Sequence, residues 1–138
     1  MKMSYYLGLG GIVLLAIVAG LVLGPAYYLN LPSILIVSGT CFGALVCNFG
    51  LKGSFSALGA LALPDRKTAA GFRKSAAKTV MLSGLFAGLF YLIMGVIAAL
   101  GSIGDLARIG PSLATGFLSL LYGSFIALLM VPAYVSEE

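Results

Sequence analysis

The sequence has few residues that can carry charge. It contains no His and no Trp, and Lys, Arg, Asp and Glu together make up 9% of its 138 residues, against 61% hydrophobic residues. A soluble domain carries roughly 25% charged residues, so this composition cannot cover a water-facing surface and predicts a membrane protein. The absence of His removes imidazole as a base and as the commonest metal ligand, and four acids leave few carboxylates. We therefore expect no enzyme activity, no metal site and no cofactor.

Charged residues are absent from four long apolar stretches. A membrane-spanning helix needs about 20 mostly apolar residues, because ~30 Å of hydrocarbon is crossed at ~1.5 Å per residue. The four stretches reach that length without Asp, Glu, Lys or Arg. They are Tyr5–Gly24, Leu31–Gly50, Thr79–Leu100 and Ser112–Tyr134. The first exceeds the ~7–15 apolar residues of a secretory signal. We predict an all-α membrane protein with four transmembrane helices in one domain, residues 1–138.

Basic residues are distributed unevenly between the two sides of these spans. Seven lie on one side and Arg108 alone on the other. The seven are Lys2, Lys52, Arg66, Lys67, Arg73, Lys74 and Lys78. Because cytoplasmic loops carry the excess of Lys and Arg, both termini and the middle segment are predicted to be cytoplasmic. This topology accounts for the net charge of +4 without nucleic acid, and contact with membrane lipid is a second role for the cations.

The middle segment, residues 51–78, is the only substantial water-facing part. Pro64–Asp65 predicts the start of a long third helix that extends from the cytoplasm through Leu100, since Pro suits the first turn of a helix. Residues 53–63 carry too little charge for a linker, so they either extend the second helix or lie at the membrane interface.

On the other side of the membrane, Asn30 and Pro32 predict the start of the second helix. The Asn side chain can accept a hydrogen bond from a backbone N–H of the first turn, which has no partner inside the helix, and Pro suits that turn.

Small residues mark one face of the third and of the fourth predicted helix. Gly84, Gly88, Tyr91 and Gly95 fall at i, i+4, i+7 and i+11 and share one face, which we predict to be a groove. The fourth helix carries a matching stripe of Ser112, Gly116, Ser119, Gly123 and Ala127, with Thr115 and Tyr122 beside it. Small residues and hydroxyls hold helices together in lipid. Two interpretations stay open: a pore lining or seat for a partner helix, and ordinary packing inside a four-helix bundle.

The four predicted spans contain no carboxylate. Proton-driven machines place ionisable side chains at membrane depth. If this protein belongs to an ion-coupled device, the titrating carboxylate must therefore come from another polypeptide. The same absence argues against a four-helix small-solute transporter, which needs an acid inside the membrane.

Two stretches of the chain resemble a known family. Residues 28–61, YLNLPSILIVSGTCFGALVCNFGLKGSFSALGAL, are similar to the second helix of MotA-type stator channel subunits, with their Leu–Pro pair at Pro32, apolar run and Gly-rich helix. Residues 93–133, IMGVIAALGSIGDLARIGPSLATGFLSLLYGSFIALLMVPA, resemble their third and fourth helices. The matching motifs are IGP ending at Pro111, LYG ending at Gly123, and the late Pro132. Together the two stretches cover more than half of the chain.

The resemblance implies the MotA/TolQ/ExbB architecture in a bacterial inner membrane. This is a homopentameric ring whose third and fourth helices line a hole, with Gly116 and Gly123 joining the groove that seats the partner helix. A dimer of single-span MotB-, ExbD- or TolR-like proteins occupies the hole, brings the missing Asp, and lets proton flow drive rotation. The ion path implied by the resemblance passes Leu92, Ser119 and Leu120, with Thr115 and Tyr122 as further polar candidates. Leu stands at two positions where the family commonly has Thr, which favours H⁺ over Na⁺.

The chain departs from flagellar members of the family in two respects. They insert a large cytoplasmic domain between helices two and three, where this chain has only residues 51–78, and they carry a Pro where Leu85 stands. We therefore expect a compact relative that powers another process, or a small stator-like unit. The alternative is a non-conducting oligomeric membrane scaffold, which Leu92 and Leu120 favour.

Overall fold

The computed structural model describes residues 2–24, 28–63 and 70–135, and these form four α-helices. The helices are α1 (Lys2–Leu23), α2 (Leu31–Ala62), α3 (Ala70–Gly101) and α4 (Leu106–Val135). Three of them, α2, α3 and α4, are long and apolar enough to cross a membrane, whereas the apolar part of α1, Tyr6–Val22, is shorter. The chain is thus an all-α protein with the helices of a multi-pass membrane protein. The prediction of a fourth span stays a prediction.

The ends of α1 and α2 follow from local backbone chemistry. Gly24 follows the last residue of α1 with φ of 98°, the left-handed conformation that commonly ends a helix and that Gly adopts without a Cβ clash. Asn30 precedes α2, and its Oδ1 accepts a hydrogen bond from the Ser33 N–H at 3.3 Å, with Pro32 in the first turn. The predicted start of the second helix is confirmed.

Helix α2 reverses direction at Gly50. This residue has φ of 70° and ψ of 172°, a region of backbone space that is essentially restricted to Gly. The ring centroids of Phe42 and Phe55 lie 5.8 Å apart, although 13 residues of straight helix would separate them by about 20 Å along the axis. Residues 51–62 therefore fold back against 31–49. Residues 51–62 thus continue α2 as helix beyond a sharp bend, and their location at the membrane interface stays a prediction.

The segment after the bend is held by one small-residue face. Ser54 and Ala57 are fully buried and Ala60 is 1% exposed, and their i, i+3, i+6 spacing places them on one side of the helix. Ala57 joins Cys41, Leu45, Ala76 and Val80 in the main buried cluster of the described residues. We call this end of the bundle, where α2 reverses and α3 begins, the basic end, because Lys52, Arg73, Lys74 and Lys78 lie there.

Helices α3 and α4 form a long antiparallel hairpin. Asp105 begins α4 by accepting the Ala107 N–H at 3.2 Å and by pairing with the exposed Arg108 at 3.1 Å. Because Asp105 caps the helix this early, α4 begins six residues before the predicted span, and Pro111 lies inside the helix instead of in a loop. The connection shortens to residues 102–105. Helix α3 runs unbroken from Ala70, while its predicted start at Pro64–Asp65 and the predicted loop residues 25–27 lie outside the described residues.

Candidate functional site

Five glycines bring the backbones of α3 and α4 into direct contact. A Cβ added to Gly95 would lie 2.8 Å from the Gly116 Cα, and one added to Gly88 would lie 3.0 Å from the Leu120 Cα. A Cβ on Gly123 would collide with the Gly84 carbonyl oxygen. We call this contact the glycine seam; its members are Gly84, Gly88, Gly95, Gly116 and Gly123. Only glycine at these positions allows the two helices to approach this closely.

The face predicted to be a partner-helix groove is therefore occupied by α4 of the same chain. Gly84, Gly88, Gly116 and Gly123 are all buried in the contact. Of the two interpretations left open, packing inside the bundle describes these glycines in this structure. Tyr91, predicted on the same face, turns instead toward α2, where its hydroxyl lies 3.3 Å from Thr40 Oγ1.

The predicted polar residues of α4 are bonded within the chain. Ser119 is 2% exposed, and its hydroxyl donates to the Thr115 carbonyl at 2.9 Å. The hydroxyl of Ser33 on α2 donates to the same carbonyl at 3.3 Å, and the Thr115 hydroxyl donates to the Pro111 carbonyl at 2.9 Å. The Ser119 hydroxyl thus lies inside the bundle, whereas Thr115 is half-buried and is the nearest of these residues to an outer surface.

Tyr122 attaches the start of α2 to the middle of α4. Its hydroxyl oxygen accepts the Asn30 backbone N–H at 3.1 Å and donates its proton to the Tyr28 carbonyl. A buried backbone group that lacks a partner costs about 1–3 kcal/mol, and this hydroxyl satisfies one backbone donor and one backbone acceptor. In this arrangement Tyr122 positions a helix end.

The two leucines of the implied ion path lie at the glycine seam. The Leu92 carbonyl oxygen lies 3.1 Å from the point where a Cβ added to Gly116 would lie. The Leu120 Cα lies 3.0 Å from the point where a Cβ added to Gly88 would lie. Both side chains are half-buried. Pro132, the third predicted proline of the motif set, lies inside the last turns of α4. The atoms nearest to Gly88 and Gly116 are thus backbone atoms of the facing helix.

Sequence reasoning missed the polar contacts that hold α2 on the hairpin. Besides Thr40–Tyr91, the Asn48 amide donates to Thr79 Oγ1 at 3.2 Å. These pairs join residues on different helices, so no spacing within one helix signals them. These contacts depend on how α2 is oriented about its own axis, and this orientation is known only from the three-dimensional structure.

The outer faces of the hairpin are apolar and uncharged at the depth of the seam. On α4 the exposed residues recur every three or four positions, at i, i+4, i+7, i+11, i+14 and i+18, and thus form one stripe along the helix. These residues are Gly110, Ala114, Phe117, Leu121, Ser124 and Leu128. Ser124 contributes an exposed hydroxyl to this stripe, which the sequence analysis did not select. On α3 the exposed stripe includes Phe86, Phe90, Ile93 and Ile97. These faces, together with the exposed faces of α1 and α2, are available for contact with lipid, a second copy or a partner helix.

The described part of the chain is held by packing, hydrogen bonds, the Asp105–Arg108 ion pair and the contact of Lys74 with the Tyr134 ring. Among residues 2–24, 28–63 and 70–135, no three His, Cys, Asp or Glu side chains come together as metal ligands. The expectations of no cofactor and no enzyme activity stay predictions. Comparison of the chain with protein families, with curated proteins and with solved structures finds no match. The resemblance to MotA-type subunits therefore rests on the motifs quoted above.

Proposed function

We propose that this chain is a MotA/TolQ/ExbB-like subunit of a proton-driven rotary complex in a bacterial inner membrane. In this proposal the chain crosses the membrane four times with both termini in the cytoplasm. Five copies form a ring around a dimer of single-span proteins, and the partner supplies the carboxylate that takes up and releases the proton. In this proposal the partner protein determines which process the motor powers.

The observation that carries the proposal is the α3–α4 hairpin. The glycine seam fixes the two helices at backbone contact over the stretch from Gly84 to Gly95, which makes the hairpin a stiff two-helix element. The sequence of both helices at that depth contains no Asp, Glu, Lys or Arg. A stiff, uncharged hairpin suits the wall of a hole that surrounds a helix bearing its own acid, since an unpaired carboxylate in the wall would be costly.

The proposed ion path follows the outer face of the hairpin. Ser124 is exposed on the outer stripe of α4, so its hydroxyl can face a hole. Thr115, nine residues earlier, lies on the other side of the helix, and it and the buried Ser119 reach the hole only if α4 rotates. Leu92 and Leu120 provide no oxygen ligands. A path of one or two hydroxyls with water can pass a proton, whereas Na⁺ prefers several oxygen ligands.

Two measurements on the native complex test the proposal. The chain is extracted in mild detergent with the single-span proteins of its own cell, and the mass of the complex is determined. We expect a pentamer that carries two copies of a protein with an intramembrane Asp. In liposomes, proton flux should require both proteins and should stop when that Asp is changed to Asn. A monomer, or a ring without such a partner, contradicts the proposal.

The second candidate function is a non-conducting membrane scaffold. The burial of Ser119 at 2% exposure and the aliphatic side chains of Leu92 and Leu120 favour it, because they leave few polar groups along α3 and α4. It predicts a stable oligomer that gives no proton flux with any partner. The same liposome experiment therefore separates the two functions.

A further inference from the structure

An apolar cavity lined by residues of all four helices lies at the basic end of the bundle. Its volume is about 310 Å³. It is lined by Tyr6 and Leu9 of α1, Leu58, Leu61 and Ala62 of α2, Val80 of α3 and Met130 of α4. The lining is apolar apart from the Tyr6 hydroxyl, and the cavity opens to the surface of the chain. An apolar molecule therefore suits this cavity better than water does.

A cation lies just beyond the wall of this cavity. The Lys74 ammonium lies 5.4 Å from the centre of the Tyr134 ring. Tyr134 comes about 6 Å, or one turn, after Met130 on the same side of α4. Lys78 precedes Val80 by two residues, so it lies on the opposite side of α3 from the cavity, and it is exposed. The α4 wall of the cavity thus continues within about one turn to the Lys74 ammonium.

The surrounding charge has the sign that attracts an anion. Among the residues that the structure describes, the one carboxylate, Asp105, lies at the opposite end of the hairpin. The described part of the basic end carries Lys52, Arg73, Lys74 and Lys78, so its charge is positive.

We propose that this cavity takes one acyl chain of an anionic phospholipid, with the headgroup phosphate against Lys74. The apolar stem of Lys74 lies along its helix while the ammonium group reaches the phosphate. Basic pockets between transmembrane helices bind anionic headgroups in this way. The site lies apart from the proposed ion path, so it stands whether or not the chain conducts protons.

The absence of Trp from the sequence permits a specific test with one introduced reporter. The Leu58→Trp variant is reconstituted in phosphatidylcholine vesicles that contain a minor fraction of brominated phosphatidylglycerol or of brominated phosphatidylcholine, whose bromine atoms quench Trp fluorescence. We expect stronger quenching by the anionic lipid, with an apparent preference of about fivefold, or about 1 kcal/mol. Lys74→Gln should remove this preference.

Matched controls distinguish the cavity from general attraction to the vesicle surface. In an Ile97→Trp variant, on the exposed face of α3, the two brominated lipids should quench equally. Lys78→Gln, on the opposite side of α3 from the cavity, and Arg108→Gln, at the opposite end of the hairpin, should leave the preference of the Leu58→Trp variant unchanged. Equal quenching by both lipids at Leu58→Trp, no quenching by either, or a preference that Lys74→Gln retains overturns the proposal.

A second measurement avoids the bulk that Trp adds to the cavity. The unsubstituted protein is extracted from vesicles containing equal amounts of phosphatidylglycerol and phosphatidylcholine, and bound lipid is weighed by native mass spectrometry. We expect retained phosphatidylglycerol, which an Ala62→Phe variant should lose because Phe fills the cavity. An Ala114→Phe variant, on the exposed face of α4, should retain it. Loss from neither variant, or retention of phosphatidylcholine instead, contradicts an anionic lipid in this cavity.

Discussion

Replacing Gly95 with Ala should separate α3 from α4 at the end of the seam where Gly95 faces Gly116. The added Cβ would lie 2.8 Å from the Gly116 Cα and 2.8 Å from the Ser112 carbonyl oxygen, whereas carbon atoms pack at about 3.5–4.0 Å. All three contacting atoms are backbone, so no side chain can turn aside. The two helices must therefore move apart by about 1 Å, and a gap of that size forfeits up to about half of each van der Waals contact next to it.

The expected loss of stability is about 1–2 kcal/mol. Overpacking of a closely packed contact costs about 1–3 kcal/mol, and the better helix propensity of Ala returns up to about 1 kcal/mol. Gly43→Ala on α2 is the matched control, because a Cβ there meets nothing within 4 Å; this variant should be unchanged or slightly more stable. The measurement is reversible unfolding in mixed micelles with rising sodium dodecyl sulfate, followed by far-ultraviolet circular dichroism. If Gly95→Ala unfolds at the same detergent fraction as Gly43→Ala, the glycine seam does not stabilise the hairpin.

Three further substitutions test the rest of the fold and the site. Gly50→Ala should cost about 1–3 kcal/mol in the same unfolding assay, because its backbone conformation is strained for any residue with a Cβ; a neutral result contradicts the reversal of α2. Tyr122→Phe should leave the Asn30 N–H without its acceptor, at a cost of about 1–3 kcal/mol, and faster hydrogen exchange of that amide, measured by mass spectrometry, checks this. Ser119→Ala should cost less than about 1 kcal/mol, since a second hydroxyl donates to the Thr115 carbonyl. If Ser119→Ala instead abolishes proton flux at unchanged stability, the buried hydroxyl belongs to the ion path.

Much of the fold could be predicted because it depends on local chemistry. The uncharged stretches predict helices from length and hydrophobicity alone, and Asn30 with Pro32 predicts where α2 begins. The spacing from Gly84 to Gly95 identifies a contact face, because periodicity fixes which residues share one side of a helix. Each of these inferences uses residues within one helix or at its end.

The parts that could not be predicted depend on relations between distant segments. Gly50 is one of 19 glycines, and nothing in its neighbours signals that this one takes a positive φ and reverses the helix. Likewise, the glycine face of α3 requires a close neighbour, but its periodicity does not say whether that neighbour is α4 or another protein. At the start of α4 two local signals compete, because both the cap at Asp105 and Pro111 suit the beginning of a helix. The cap prevails, and α4 begins before the proline.

The use of the glycines inside the chain restricts how any assembly of this protein can form and move. Helices in lipid lack a hydrophobic drive toward each other and associate through close packing and hydrogen bonds. The glycine faces of α3 and α4 are already occupied by the contact between these two helices, so contacts with other chains must use larger side chains or exposed glycines elsewhere. Gly39 and Gly43 of α2 are two such glycines, and they meet nothing within 4 Å. We therefore expect any moving part to lie outside the hairpin, in α1 or in the segment of α2 beyond Gly50. The hairpin would move as a unit, because separating α3 from α4 breaks backbone contacts along several turns at once.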